Sequence, residues 1–171
     1  MGEDSKALSY YEKALEIYQK TLPANHPSLA SSYNNIGAAY CNMGEYSKAL
    51  SYYEKALEIY QKTLPPNHPD LATSYSNIGL VYKHMGEYSK ALSYYEKDLE
   101  ICQKTVPPNH PLLATSYNNI GWVFRSMKDY SKALSYFERA LDIRQRSLPP
   151  NHPHIQNVRR WIEIVKKEIR K

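Results

Sequence analysis

The chain has 171 residues, enough for one domain with a sizeable core. Its hydrophobic share of 42% and charged share of 23% are ordinary for a globular protein, which excludes global disorder. The net charge of +5 suggests nucleic acid, but residues 154–171 hold six basic groups against two acidic ones, so the basicity belongs to one terminal segment and not to a continuous stripe.

The composition is uneven in one respect: 17 Tyr stand against 2 Phe and 2 Trp, as when a small unit is copied. Gly2, Gly44 and Gly86 fall 42 residues apart. Met1, Met43, Met85 and Met127 keep the same step, as do His26, His68, His110 and His152. Residues 2–43 and 44–85 agree at 33 of 42 places, and so do 44–85 and 86–127.

In chain order, residues 3–21 read as the second helix of a unit with no first helix before it, so a segment of a longer array is expected. Residues 27–64, 69–106 and 111–148 read as three complete hairpins. In the second of the four copies, Tyr46, Ala49, Leu50, Tyr53, Ala56, Leu57 and Tyr60 recur at three- and four-residue steps, the period of a helix. Pro65-Pro66 stops this helix, because proline lacks the donor and clashes with the turn before it. The next helix opens at Pro69, a favoured first-turn position, and ends at Met85-Gly86, where glycine takes the left-handed cap. Residues 153–170 stand where a first helix stands. Ile155, Val158, Ile162, Val165 and Ile169 form its apolar side, but Glu163 and Lys166 replace a repeated glycine and aromatic. A polar-backed capping helix is expected there.

These residues carry a family resemblance. The run Tyr33-Asn-Asn-Ile36-Gly37, Tyr40, Gly44, Tyr46, Ala49, Tyr53, Ala56-Leu57 resembles a tetratricopeptide repeat, and it recurs through Gly79, Tyr82, Gly86, Tyr88 and Ala91, then Gly121, Phe124, Tyr130 and Ala133. The 42-residue length, the Pro-Pro-Asn-His-Pro loop and phrases such as Ala56-Leu-Glu-Ile59-Tyr-Gln and Asn118-Asn-Ile120 look like the repeats of kinesin light chains. The resemblance implies one all-α domain over 1–171: a right-handed α-solenoid of stacked helical hairpins, about eight helices in all.

No chemistry of another class competes. The four loop histidines fall in successive units, too far apart to share a metal whose ligands must lie near 2 Å, so turn chemistry is expected of them. His84 and His154 have no partner at metal spacing, and no catalytic or phosphate-loop motif occurs. Neither an enzyme, nor a cofactor, nor a metal is expected. Tyr40, Tyr53, Tyr82 and Tyr95 lie on the apolar stripes and are expected to be core. Two cysteines, Cys41 and Cys102, make no disulfide framework, so a reducing, cytoplasmic setting is expected. No apolar run approaches the ~18 residues of a membrane span, and neither membrane nor nucleic acid is expected as a partner.

Function is sought where the copies differ. Five of the nine differences between the second and third units lie in the first helix: Asp70/Leu112, Ser76/Asn118, Leu80/Trp122, Lys83/Arg125 and His84/Ser126. Tyr82/Phe124 is a sixth and conservative one. Positions spaced like 76, 80, 83 and 84 share one face, opposite the packed stripe. In tetratricopeptide arrays that face lines the groove in which an extended peptide lies. The expected groove residues are Asn34, Asn35, Ala38 and Cys41, then Ser76, Asn77, Leu80, Lys83 and His84, then Asn118, Asn119, Trp122 and Arg125. Lys83, Arg125 and His84 would supply positive charge, Leu80 and Trp122 apolar contact. The expected partner is an extended peptide, acidic beside a hydrophobic anchor. Drift on an exposed face is the plainer reading of the same differences. Capture of a terminal carboxylate by a first-helix lysine is disfavoured, since Asn34, Ser76 and Asn118 stand at that place.

The alternative function is an architectural spacer that self-associates, as a homodimer through the N-terminal helix. There Leu8, Tyr11, Leu15 and Tyr18 are expected to lack their usual neighbour. One further departure concerns stability. Asp98 replaces Ala14, Ala56 and Ala140 on the packed side, where an unpaired carboxylate is costly, so partial exposure or a basic neighbour is expected.

Overall fold

The computed structural model describes residues 2–171, with side chains from Ser5 onward; Met1, one mark of the repeat step, lies outside that range. Eight α-helices and no strand occur among the described residues. They are α1 (Gly2–Thr21), α2 (Pro27–Asn42), α3 (Tyr46–Thr63), α4 (Pro69–His84), α5 (Tyr88–Thr105), α6 (Pro111–Ser126), α7 (Tyr130–Ser147) and α8 (Pro153–Ile169).

The even-numbered helices all open in one way. His26, His68, His110 and His152 sit at the N-cap in extended backbone, each followed by a proline. Nδ1 of each ring accepts the backbone N–H two residues on, at 3.2, 3.2, 3.3 and 3.2 Å. That bond satisfies one of the first-turn donors that no helix can pair internally. The loop histidines are capping residues.

Three of these helices, α2, α4 and α6, close on a left-handed residue. Gly44 and Gly86 have φ of 77° and 78°, and the next N–H reaches back to Tyr40 and Tyr82 carbonyls at 2.9 Å. Lys128 holds that backbone at φ 63° without glycine's freedom.

Contacts divide the chain into two compact units, one up to Glu87 and one from Tyr88. In the N-terminal unit α1 packs on α2, α2 on α3 and α3 on α4. In the C-terminal unit α5 packs on α6, α6 on α7 and α7 on α8. Helices that meet their sequence neighbours in this way bury apolar sides that no single hairpin could cover.

Within a hairpin the closest approach is a ring on a glycine. Tyr53 lies on Gly37 and Phe137 on Gly121, and a β-carbon built at either glycine would stand 2.9 Å from ring carbons. Ile36, Ala49 and Ala56 complete one core, and Ile120, Ala133 and Ala140 the other, all fully buried. Burying a ring such as Phe137 contributes roughly 1.5–3 kcal/mol. Tyr53 and Tyr95 are core as expected, whereas Tyr40 and Tyr82 are only half-buried. Tyr40 instead stacks on Tyr52 at 5.5 Å.

Three further expectations need correction. Leu15 does not lack a neighbour: α1 packs on α2 and Leu15 is buried, while Leu8 is half-buried. Ile169, expected on the apolar side of α8, is 46% exposed at the end of that helix, although Ile155, Val158, Ile162 and Val165 are buried. Asp98 is neither partly exposed nor held by a base. It is 5% exposed, takes a hydrogen bond from Cys102 Sγ at 3.6 Å, and is bonded to Ser116 of α6. Polar partners thus stand where a cation was expected, because Cys102 replaces the Tyr60 of the preceding copy and Ser116 faces it across the α5–α6 contact. Burial pushes the Asp98 carboxyl above its usual range, and the two hydrogen bonds pull it only partly back.

Candidate peptide-binding face

The thirteen expected groove residues fall in two groups, nine on α2 and α4 and four on α6. On α2, Asn34 and Cys41 are half-buried, while Asn35 and Ala38 are exposed. On α4, Ser76, Asn77, Leu80 and Lys83 are half-buried and His84 is exposed. The neighbouring Ile36 and Ile78 are fully buried, so the helical period puts the candidates on the outer side of each helix.

Lys83 of α4 interacts electrostatically with Cys41 of α2. Burial holds the Lys83 ammonium below the usual lysine range, and Cys41 opposes that in part. The Cys41 thiol is pushed up by burial, with Lys83 pulling it back. His84 lies parallel to Tyr46, with ring centroids 5.3 Å apart and planes 3° apart. Burial first, and Lys83 second, hold its imidazole below the usual range and so favour the neutral form. Oδ1 of Asn34 is buried without a hydrogen-bond partner in the protein. Asn34 therefore retains an unused acceptor on this face.

In the C-terminal unit Asn118, Asn119, Trp122 and Arg125 are all half-buried. Trp122, expected as an exposed aromatic, is covered from α8. The Trp161 ring meets it edge-on, with centroids 4.2 Å apart, and Trp122 in turn meets Phe137 edge-on at 6.0 Å. The Arg125 guanidinium carbon lies 5.1 Å from the Trp122 centroid and 5.4 Å from that of Trp161. Its Nε is buried and has no hydrogen-bond partner in the protein. Sequence reasoning passes over Trp161. The available signal was its place, since it stands where the other copies carry Asn35, Asn77 and Asn119.

Helical hairpins that each bury one side and expose a mixed polar and apolar face define an all-α solenoid, the architecture of a protein-interaction scaffold. The family model for the tetratricopeptide repeat matches residues 1–62, 28–104 and 70–146, and the chain belongs to that family. Among solved structures it is similar to the nearly identical TPR-like repeats of a Podosopora anserina protein described as a kinesin light chain. That match has 23% identity and a TM-score of 0.83, covering 98% of this chain and 79% of that one. It is also similar to BtubC (BKLC) from P. vanneervenii, at 28% identity and a TM-score of 0.87, over 98% of this chain and 67% of the other. The apo form of RapI matches at 21% identity and a TM-score of 0.85, over 98% and 58%. No protein with a curated description matches. No helix among the described residues is long and apolar enough to cross a membrane.

Proposed function

We propose that the protein binds an extended peptide, acidic beside a hydrophobic anchor, along the outer faces of its first-type helices. The observation that carries this reading is Arg125: a guanidinium held against Trp122 and Trp161, with a buried and unbonded Nε. A carboxylate placed there would gain a charge-assisted hydrogen bond, and its neighbouring apolar side chain would meet indole surface. Lys83 repeats the theme on α4, a half-buried cation one turn from Leu80. Drift on an exposed face accounts for substitutions but not for an arginine left with an unused buried donor. The test is fluorescence anisotropy with a labelled pool of acidic peptides. Lys83→Glu combined with Arg125→Glu is expected to abolish binding while leaving helicity by circular dichroism unchanged. Retained binding would move the site off these faces.

A second reading, self-association through α1, is favoured by one feature. Tyr10 and Ile17 are 70% and 60% exposed, whereas Ile59, at the place of Ile17 one copy later, is buried. Light scattering over a wide concentration range separates the readings, since a chain that stays monomeric throughout is no homodimer.

A further inference from the structure

Away from those faces, the C-terminal unit holds a cavity of 420 Å³ between the α5–α6 loop, α6 and α7. That size lies in the span of roughly 300–1,000 Å³ found for small-ligand sites. Its apolar lining is Val106, Pro108, Leu113 and Ile143. Its polar lining is organised around Tyr117, whose hydroxyl accepts a hydrogen bond from Gln103 Nε2 at 3.1 Å. The Arg139 guanidinium carbon stands 5.7 Å from the ring centroids of both Tyr117 and Tyr136. Arg146 is spent on Asp142, with two contacts of 3.1 and 3.0 Å to one carboxylate oxygen. Arg139 is different. Among the described residues no carboxylate pairs with it, and its contacts are the two rings.

The same arrangement occurs in the N-terminal unit, at the matching place of its own repeat. A cavity of 310 Å³ is lined there by Tyr33, Lys55, Glu58, Ile59 and Lys62. Lys55 Nζ lies 5.7 Å from the Tyr33 centroid and 5.2 Å from that of Tyr52. Lys62 pairs with Glu58 at 2.6 Å, and Gln19 donates to the Tyr33 hydroxyl at 3.1 Å. The geometry is shared, and the chemistry has changed. Lys55, Glu58 and Lys62 give way to Arg139, Asp142 and Arg146, around a larger space. An ammonium over a ring offers a point charge. A guanidinium over a ring keeps a planar edge of N–H groups that can grip a carboxylate through two parallel bonds.

We propose that the cavity beside Arg139 is a second binding site, for a monocarboxylate on a large apolar body, as presented by the C-terminal residue of a peptide. Arg139 receives the carboxylate, and Val106, Leu113 and Ile143 receive the side chain. The charge of the site sets the valence: Arg139 and Arg146 against Asp142 leave a single positive charge, and a dianion would meet the Asp142 carboxylate. This site is distinct from the first-helix position where other tetratricopeptide domains clamp a chain terminus, and it does not rest on the reading of those faces.

The test uses the full chain and two matched probes, N-acetyl-phenylalanine and its neutral amide, titrated while amide NMR spectra are recorded. The acid is expected to shift the amides of Leu113, Tyr117, Arg139 and Ile143 saturably, and to bind about fivefold more tightly than the amide. Arg139→Gln is expected to reduce the acid to the affinity of the amide, and Lys55→Gln to leave the acid's shifts on α6 and α7 unchanged. Equal binding of acid and amide overturns the proposal without any variant being needed. So does an Arg139→Gln chain of unchanged helicity that binds the acid as before, and so do shifts that saturate elsewhere in the chain.

Discussion

Phe137 lies against Gly121 so closely that a β-carbon on the glycine would stand 2.9 Å from its Cδ1 and Cε1. Tyr53 and Gly37 repeat the contact in the N-terminal unit. The glycine is there for space, since both sit inside helices, where glycine is otherwise unfavourable by about 1 kcal/mol relative to alanine. Both rings are buried, so neither can swing into solvent to make room.

Gly121→Ala is therefore expected to destabilise the protein even though it improves helix propensity. Overpacking costs about 1–3 kcal/mol and the propensity gain offsets about 1, leaving a net loss of up to about 2 kcal/mol. Urea unfolding followed by circular dichroism measures it. An unchanged or raised midpoint would show that Phe137 yields freely.

The third turn-closing position offers the opposite case. Lys128 holds φ 63° where Gly44 and Gly86 hold the same backbone without strain. A left-handed conformation costs an L-residue about 1–2 kcal/mol, so Lys128→Gly is expected to raise stability by about 1 kcal/mol after allowing for the greater freedom of glycine in the unfolded chain. Thermal unfolding reads the change as a higher Tm. A lower Tm would mean that the lysine side chain stabilises the turn by more than its backbone strains it.

Asp98 makes stability depend on pH. Its folded-state pKa lies above the usual 3.8, mainly through burial. The penalty of ionising it is thus absent below about pH 4 and grows as pH rises through the raised folded value. Asp98→Ala restores the residue of the other copies. It leaves no orphan hydroxyl, because the Ser116 O–H can then donate to the Leu112 carbonyl, 3.2 Å away. The variant is expected to be more stable by about 1–2 kcal/mol at pH 7, with the advantage shrinking as pH falls toward 4. Paired Tm measurements across that range decide it; a Tm at pH 7 that is unchanged or lower overturns the account of Asp98 as a local defect.

Much of this was legible in the sequence because each position is written several times. The capping histidines, the turn glycines and the alanine layers could each be read from three or four copies, and local chemistry then determines what a cap or a turn does. The outer faces were legible by the same comparison, as the places where copies part. Trp161 and the partners of Asp98 were not. Whether Trp161 lies over Trp122 depends on a residue of α8 meeting one of α6, and the period of a single helix says only which side faces inward. Asp98 looked unpaired because its partners are a thiol four residues on and a hydroxyl in another helix, where a cation was sought.

Trp161 provides the sharpest test of the C-terminal unit. It meets Trp122 edge-on and shares the Arg125 guanidinium with it, so one substitution removes an aromatic pair and half of a cation–π sandwich. Trp161→Ala is expected to lower unfolding free energy by about 2 kcal/mol, less than a fully buried tryptophan would, because Trp161 is half-exposed. The loss should be local. Hydrogen exchange is expected to quicken in α8 and on the outer side of α6, and to remain slow around Gly37 and Tyr53. Trp161→Phe keeps an aromatic edge over Trp122 and is expected to recover about half of the loss. If Trp161→Ala unfolds at the same urea concentration as the parent chain, Trp161 neither braces Trp122 nor positions Arg125, and the aromatic surface proposed for the peptide anchor belongs to Trp122 alone.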